Sequence, residues 1–266
     1  MANTEPVHFF DIISTLPGPL KSWSPNTLKV RTVLNFKQIP YTQSWISYPD
    51  IAPLMKGFGL EAYETGFAYT LPAIVHSSVP SPQGAMMDSL PIAEHLDRVF
   101  PDRPLFPSGD ASYALYLAVS HLVIGAIGPG IRTLIIPRVP DHLDPRGQEY
   151  FVRTRTESFG MPLAEVRPKE EEEIAKIWET MEKGFPPLIR ALKGREGKKG
   201  PFFEGETAGY VDLFVVSIFA FLHRFDRELW EKAMGQGDGE LRALWDACLP
   251  WLEGQGEEKE WPIPSA

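Results

Sequence analysis

The sequence changes character at the proline-rich stretch 101-PDRPLFPSGD-110, and that change restricts the fold more than any other feature. Before it, strand and helix signals alternate. The apolar run 7-VHFFDII-13 reads as a β-strand, and the Pro/Gly loop 16-LPGPL-20 leads from it to a helix over 25–37. On that helix Val30, Val33, Leu34 and Lys37 fall at i, i+3, i+4 and i+7, so the first three form one apolar stripe. The aromatic and β-branched 41-YTQSWISY-48 reads as a second strand, and 50–62 as irregular or weakly helical. Two further strands, 71-LPAIVH-76 and 85-AMMDS-89, flank the turn-rich 77-SSVPSPQG-84; 90-LPIAEHLDRVF-100 then reads as a helix with Ile92, Leu96 and Val99 on one face. A strand–helix–strand unit followed by a hairpin and a helix makes a small α/β sheet covered by helices.

After the proline-rich stretch no convincing strand pattern appears. Residues 110–127, 144–159, 169–193, 209–225 and 237–253 all read as helices. Leu241, Leu244, Trp245, Cys248 and Leu252 share a helix face, which makes Cys248 a core thiol. The acidic run 170-EEEE-173 suits a helix start, where the dipole favours negative charge. The spacing divides the chain into 1–103, an all-helical 104–253, and a tail, 254–266, expected to wrap the surface or to be partly disordered.

Bulk properties remove several function classes. A net charge of −9 argues against nucleic acid as the main partner, since phosphate binding needs clustered basic charge. The single cysteine leaves no intramolecular disulfide framework and suits a reducing, cytoplasmic setting. The stretch 1-MANTEPVHFF-10 lacks a basic region and a long apolar region, so no signal peptide is expected. The most apolar run, 114–137, is interrupted by His121, Arg132 and 125-GAIGPG-130, which points to a kinked core helix rather than a membrane span.

The motif search returns no zinc or haem spacing, so no metal is expected; it also returns no P-loop and no G-x-S-x-G elbow. What remains is a constellation. Ser24-Pro25 opens the first helix, with Ser placed as N-cap and Pro at the first helical position. Leu71-Pro72 precedes the third strand, and Asp88-Ser89 closes the fourth and opens a helix.

On these motifs the chain resembles the glutathione transferase family over nearly its whole length. The first hundred residues are similar to that family's thioredoxin-like half, with 21-KSWSPNTLKVR-31 at the catalytic loop and first helix, 71-LPAI-74 at the segment whose proline is cis, and 86-MMDSLPIAEHLDRVFPDRPLFP-107 at its acid-Ser stretch and linker. The helical remainder resembles the second domain, where 205-GETAGYVDLFVVS-217 departs from the family pattern by placing Gly209 at the capping position three residues before Asp212. Trp23 before Ser-Pro, the long 14-STLPGPLKS-22 loop and the 77–84 insertion resemble serine-type members, and more narrowly the fungal transferases related to bacterial β-aryl-etherases.

The resemblance implies glutathione as co-substrate and gives Ser24 a role beyond an N-cap. A cysteine-like thiol has a pKa near roughly 8.5, and only its thiolate is a good nucleophile. A hydroxyl donating O–H···S⁻ at a helix N-terminus favours that thiolate without needing a general base. Ser22 is the nearest rival hydroxyl but lacks a following proline. Leu71 before Pro72 would offer its backbone to the cysteinyl unit, while Asp88 and Ser89 would hold the γ-glutamyl ammonium and carboxylate. Tyr69 and Thr70 match positions that contact glutathione in relatives, Lys56 could pair with the glycyl carboxylate, and Asn26 is a lesser candidate. Trp23, Phe9, Tyr113, Tyr116, Ile124 and Ile127 are the candidates for an apolar pocket suited to aromatic or phenolic ligands. A homodimer is implied as well. The competing reading is a non-catalytic carrier of aromatic molecules on the same fold.

Overall fold

A computed structural model of the chain describes residues 6–264; residues 1–5, part of the N-terminal stretch read for a leader, and the last two residues of the tail lie outside them. The chain forms two compact units. One comprises residues through Pro104 with His142–Phe151 and the segment from Trp251 onward; the other comprises Leu105–Asp141 and Val152–Pro250.

The first unit contains β1 (Val7–Ile12), α1 (Pro25–Lys37), β2 (Tyr41–Ile46), α2 (Ile51–Gly57), β3 (Ala73–Val75), β4 (Ala85–Met87) and α3 (Ser89–Val99), in the order expected. Its sheet has five strands in the order β4-β3-β1-β2-β5, where β5 is Glu257–Glu258 of the tail. β1 runs parallel to β2 and antiparallel to β3, and every one of its residues is buried. A central strand covered on both faces loses the alternation of a half-exposed strand, which is why its sequence reads as a continuous apolar run. The stripe Val30, Val33, Leu34 is fully buried. Lys37, in register with that stripe, is buried too and is satisfied by Asp97 (2.6 Å) and by the carbonyls of Asp102 and Arg103 (both 3.0 Å).

The tail is ordered by the sheet. Lys259 N donates to Gln43 O (2.8 Å), and Trp261 packs on Phe10, His8 and Phe58 with ring centroids 5.2, 4.5 and 5.8 Å away. Burial, helped by Lys259, pulls the His8 imidazole down to about 4. Its two ring nitrogens lie 2.7 Å from Thr42 Oγ1 and 2.9 Å from Ser44 Oγ.

The second unit is helical. The helices from residue 110 onward are α4 (Asp110–Gly130), α5 (Pro145–Phe159), α6 (Leu163–Val166), α7 (Glu171–Glu182), α8 (Phe185–Lys193), α9 (Tyr210–Phe225), α10 (Arg227–Met234) and α11 (Glu240–Glu253). α9 is apolar on nearly all sides and buried along its length, as a helix without a polar face must be. Leu241, Leu244, Trp245, Cys248 and Leu252 are all buried, so Cys248 is a core thiol. After Pro129 the chain leaves α geometry for a wide π turn, Ile131–Ile135, at the place where the Gly/Pro interruption signalled a kink.

Three expectations need correction here. The helix over 169–193 is two helices, α7 and α8. A Cβ on Gly184 would lie 2.5 Å from Ala126 Cα, so this close approach to α4 requires glycine, and Pro186 and Pro187 restart the helix beyond it. α10 was not foreseen; Asp226 caps it by accepting from Leu229 N (3.0 Å). The apolar run is not a buried core helix throughout. The helical stretch Asp110–His142 is long and apolar enough to cross a membrane by length and composition, and only 28% of its apolar window is buried within the protein.

The departure at Gly209 has a steric reason. A Cβ there would sit 3.0 Å from Leu105 O and 3.3 Å from Pro107 Cδ. Asp212 supplies the cap alone, accepting from Gly209 N (2.8 Å) and Phe203 N (2.9 Å) while fully buried. Asp212→Ala strands two buried N–H groups, and a loss of about 2–4 kcal/mol in unfolding free energy, measured by denaturant titration, is expected.

Candidate functional site

The strand registers gather the sequence motifs at one end of the sheet. Phe10 pairs with Ala73 and Ala73 pairs with Met87, so Leu71-Pro72 and Asp88-Ser89 lie beyond the ladder at the C-terminal end of β1. The Leu71–Pro72 bond is cis, and Asp88 N donates to Pro72 O (3.2 Å). β2 is parallel to β1, with Ile12 opposite Ile46, so Tyr48 follows at the same end. α1 connects these two parallel strands and therefore starts there, with Ser24 as its N-cap residue. The C-terminal end of parallel strands, next to a helix N-terminus, is where open α/β sheets bind ligands.

Ser24 is 6% exposed, and its side chain makes no capping bond. Thr27 and Leu28 turn back to its carbonyl instead (3.1 and 2.9 Å). The position is that of an N-cap while the hydroxyl is not used as one. Ser22 is committed elsewhere: its Oγ donates to Asp11 Oδ2 (2.6 Å) and accepts from Arg31 Nε (2.9 Å). Arg31 and Asp11 form an ion pair of 2.9 Å with both side chains fully buried. Arg31 Nη1 also donates to Gln43 Oε1 (2.7 Å), and the guanidinium lies against the rings of Phe9 (5.1 Å) and Trp45 (5.3 Å). A buried pair with its remaining donors satisfied is tolerated, whereas removing one partner costs about 3–5 kcal/mol. The pair thus fixes the backbone two residues before Ser24.

Leu71 makes no backbone–backbone hydrogen bond among the described residues, which leaves its N–H and C=O available where the ladder ends, at the C-terminal end of β1. Asp88 has φ +82°, a left-handed conformation that costs a non-glycine residue roughly 1–3 kcal/mol and concentrates at ligand sites. Its Oδ1 accepts from Ser89 N (2.6 Å); Asp88 is exposed and Ser89 buried. Lys56 is exposed, with its ammonium 5.9 Å from the centre of the Tyr69 ring, and Tyr69 and Thr70 are half-buried. Lys29, which the sequence motifs do not single out, lies beside these groups. It donates to Asn26 Oδ1 (2.9 Å), and burial pulls its ammonium down to about 8 against the attraction of Asp88. Asp88 likewise pushes up the Tyr63 hydroxyl, after burial. A cation and a carboxylate therefore face each other where α1 meets the start of α3.

Trp23 is 3% exposed, its ring 6.3 Å from that of Tyr48. Tyr48 stacks on Tyr150 (6.0 Å, 13° between planes) and meets Phe151 edge-on at 5.3 Å. This aromatic wall beside Ser24 draws on segments a hundred residues apart, and of its members only Trp23 had been singled out. Phe9 is fully buried under Arg31 and against Tyr41. In the second unit Tyr116 packs on Tyr210 (4.9 Å) and Phe214 (5.3 Å), with Tyr113 beside it (6.2 Å). Ile127 is buried there and Ile124 is 61% exposed.

A mixed sheet with β1-α1-β2 and a β3-β4-α3 hairpin–helix, followed by a helical unit, is a thioredoxin-like domain joined to an all-α one. Comparison with known proteins defines the class further. Residues 23–99 match the family model for the glutathione S-transferase N-terminal domain, and residues 114–251 match that for the C-terminal domain. The glutathione S-transferase-like protein ustS of Aspergillus flavus is 58% identical over 273 residues, covering 99% of this chain and 98% of that protein. Among solved structures, the glutathione S-transferase CsGST63524 of Ceriporiopsis subvermispora, in complex with glutathione, superposes with a TM-score of 0.80 at 32% identity, over 93% of this chain and 98% of its own. Glutathione transferase GSTFuA3 of Phanerochaete chrysosporium gives 0.80 at 30% identity, over 93% and 97%. The chain belongs to the glutathione S-transferase family.

Proposed function

We propose that the protein is a serine-type glutathione transferase in which Ser24 holds the glutathione sulfur as a thiolate. The observation that carries this reading is the Ser24 hydroxyl itself: at the N-terminus of α1, slightly exposed, and without a capping bond. An anion there meets about half a positive charge from the helix dipole and one O–H donor. Each pKa unit of thiol depression corresponds to about 1.4 kcal/mol, which one charge-assisted hydrogen bond can supply. Leu71 would pair with the cysteinyl backbone, Asp88 would take the γ-glutamyl ammonium, and Ser89 and Lys29 would meet its carboxylate. Pro72, Tyr69, Thr70 and Lys56 complete the peptide's surroundings. The complex of CsGST63524 with glutathione supports the ligand.

The Trp23–Tyr48–Tyr150 wall supports an apolar aromatic or phenolic second substrate. The thiolate attacks an electrophilic carbon, the C–S bond forms, and the leaving group departs with its electron pair. When the leaving group is an aryloxide the same step is an aryl-ether cleavage, and the aryloxide takes a proton to become a phenol.

A second copy of the chain is the proposed occupant of the exposed α4 face. Leu117 and Ile124 are 42% and 61% exposed, and Ala111, Ala114, Ala118 and Gly125 beside them leave room for close approach. Sedimentation is expected to give twice the 29.9 kDa chain mass, about 60 kDa; a single species of about 30 kDa at micromolar concentration would contradict the dimer.

Ser24→Ala is expected to raise the pKa of bound glutathione by about 1–2 units and to lower kcat at neutral pH by roughly 10- to 100-fold, with glutathione affinity within about threefold of the parent. Ultraviolet titration of the thiolate together with calorimetry tests this; an unchanged pKa and rate would return Ser24 to a structural role, and ligand binding without turnover in the parent would favour a carrier. For the aromatic wall, Trp23→Ala and Tyr150→Ala should each weaken binding of a hydroxylated aromatic ligand by about fivefold, the worth of one aromatic contact. Calorimetric affinities equal to the parent in both folded variants would place that ligand elsewhere.

A further inference from the structure

The tail and the loop that carries Ser24 share one hydrogen-bond network within the first unit. Arg31 Nε donates to Ser22 Oγ (2.9 Å), and Arg31 Nη1 donates to Gln255 Oε1 (2.9 Å). The neighbouring residue, Lys21, reaches the tail independently: its ammonium is 3.4 Å from Glu258 Oε1 and 4.4 Å from the centre of the Trp45 ring. Trp45 Nε1 donates to that same carboxylate oxygen (2.7 Å). The start of the tail is pinned to α1 and β2, since Asn35 Nδ2 donates to the carbonyls of Trp251 (2.6 Å) and Gly254 (3.0 Å), and Tyr41 OH to Gly254 O (3.3 Å). Of the two residues that close the long loop, three and two positions before Ser24, Lys21 is held by a tail side chain directly and Ser22 is linked to one through Arg31.

We propose that residues 254–261 are part of the thiolate site as positioning elements, with Gln255 acting through Arg31 and Ser22, and Glu258 through Lys21. The inference rests on the reading of Ser24 as the thiolate's partner. A hydrogen bond to sulfur weakens steeply with distance and angle, and a site residue must stay within about 0.5 Å of its working position. Inside the loop the anchors are few: Ser14 Oγ donates to Lys21 O (2.8 Å) and Thr15 N to His142 O (2.8 Å). Without Gln255 the buried Arg31 keeps Asp11, Ser22 and Gln43 and the longer contacts of Nη1 to Tyr41 OH (3.2 Å) and Gly254 O (3.5 Å), but loses one of the two short acceptors at Nη1, and its guanidinium is freer to shift. Ser22 shifts with it, and Ser24 with Ser22. The tail's other role, covering the β2 edge, is carried by backbone bonds of β5 and by Trp261, which neither Gln255 nor the Glu258 carboxylate supplies.

The test uses the full-length chain with glutathione as the probe and compares the parent with Gln255→Leu, Gln255→Glu and Glu258→Leu. In Gln255→Leu and Glu258→Leu, amide exchange over 21–26 should quicken several-fold and the pKa of bound glutathione should rise by about half a unit. The kcat near pH 6.5 should fall about threefold and recover near pH 9, with the glutathione KM unchanged. Gln255→Glu keeps an acceptor for Arg31 and should restore the parent values. Unchanged exchange over 21–26 in both disrupting variants would overturn the coupling. Quickened exchange with an unchanged thiolate pKa would overturn the positioning role, provided Ser24→Ala moves that pKa. If Ser24→Ala does not move it, the thiolate reading itself is at fault and the positioning role falls with it.

Discussion

The buried pair of Arg31 and Asp11 is the interaction on which the rest of the first unit depends. Arg31 comes from α1, Asp11 from β1, Gln43 from β2 and Gln255 from the tail, and Ser22 from the loop between the first two. Two opposite charges cancel inside an apolar shell of Phe9 and Trp45, and Ser22, Gln43, Gln255 and the Ile12 N–H take up further hydrogen bonds of the pair. Such a cluster contributes little net stability compared with apolar residues of the same volume, but it penalises any arrangement that separates its members. It therefore acts as a register pin: β1, α1 and the loop before Ser24 must assemble together or leave a charge buried alone.

The chemistry follows from where that pin holds the chain. A parallel β1-α1-β2 unit places the helix N-terminus at the C-terminal strand ends, and the antiparallel β3-β4 hairpin brings Leu71 and Asp88 to the same edge. The dipole of α1, the left-handed backbone at Asp88 and the lowered pKa of Lys29 are consequences of that convergence. None of these groups is itself a strong acid, base or nucleophile. On the proposed reading the arrangement offers a surface for a small charged peptide whose own thiol does the chemical work, beside the aromatic wall that Trp23 begins.

Much of this was legible in the chain because its motifs are local. Ser24-Pro25, Leu71-Pro72 and Asp88-Ser89 each announce a helix start or strand end from adjacent residues, and the change of pattern near residue 105 separates sheet from helices. What stayed hidden depends on distant partners. Arg31 reads as an ordinary basic residue on an amphipathic helix, since nothing near it in sequence shows that Asp11 will neutralise it. Tyr48 and Tyr150 sit in unrelated segments until the fold stacks them. β5 is two residues long and charged, so no strand propensity marks it; Thr42 and Gln43 of β2 recruit it by leaving an open sheet edge. The break between α7 and α8 was hidden for a similar reason, because Gly184 is demanded by the backbone of α4 rather than by its own neighbours.

The central claim is that this end of the sheet stabilises an ionised sulfur. The most direct measurement is an ultraviolet pH titration of glutathione bound to the parent protein at saturating protein concentration. An apparent thiol pKa at least about one unit below the free value of roughly 8.5 is the result this account requires. A bound thiol that titrates with the free value would contradict it.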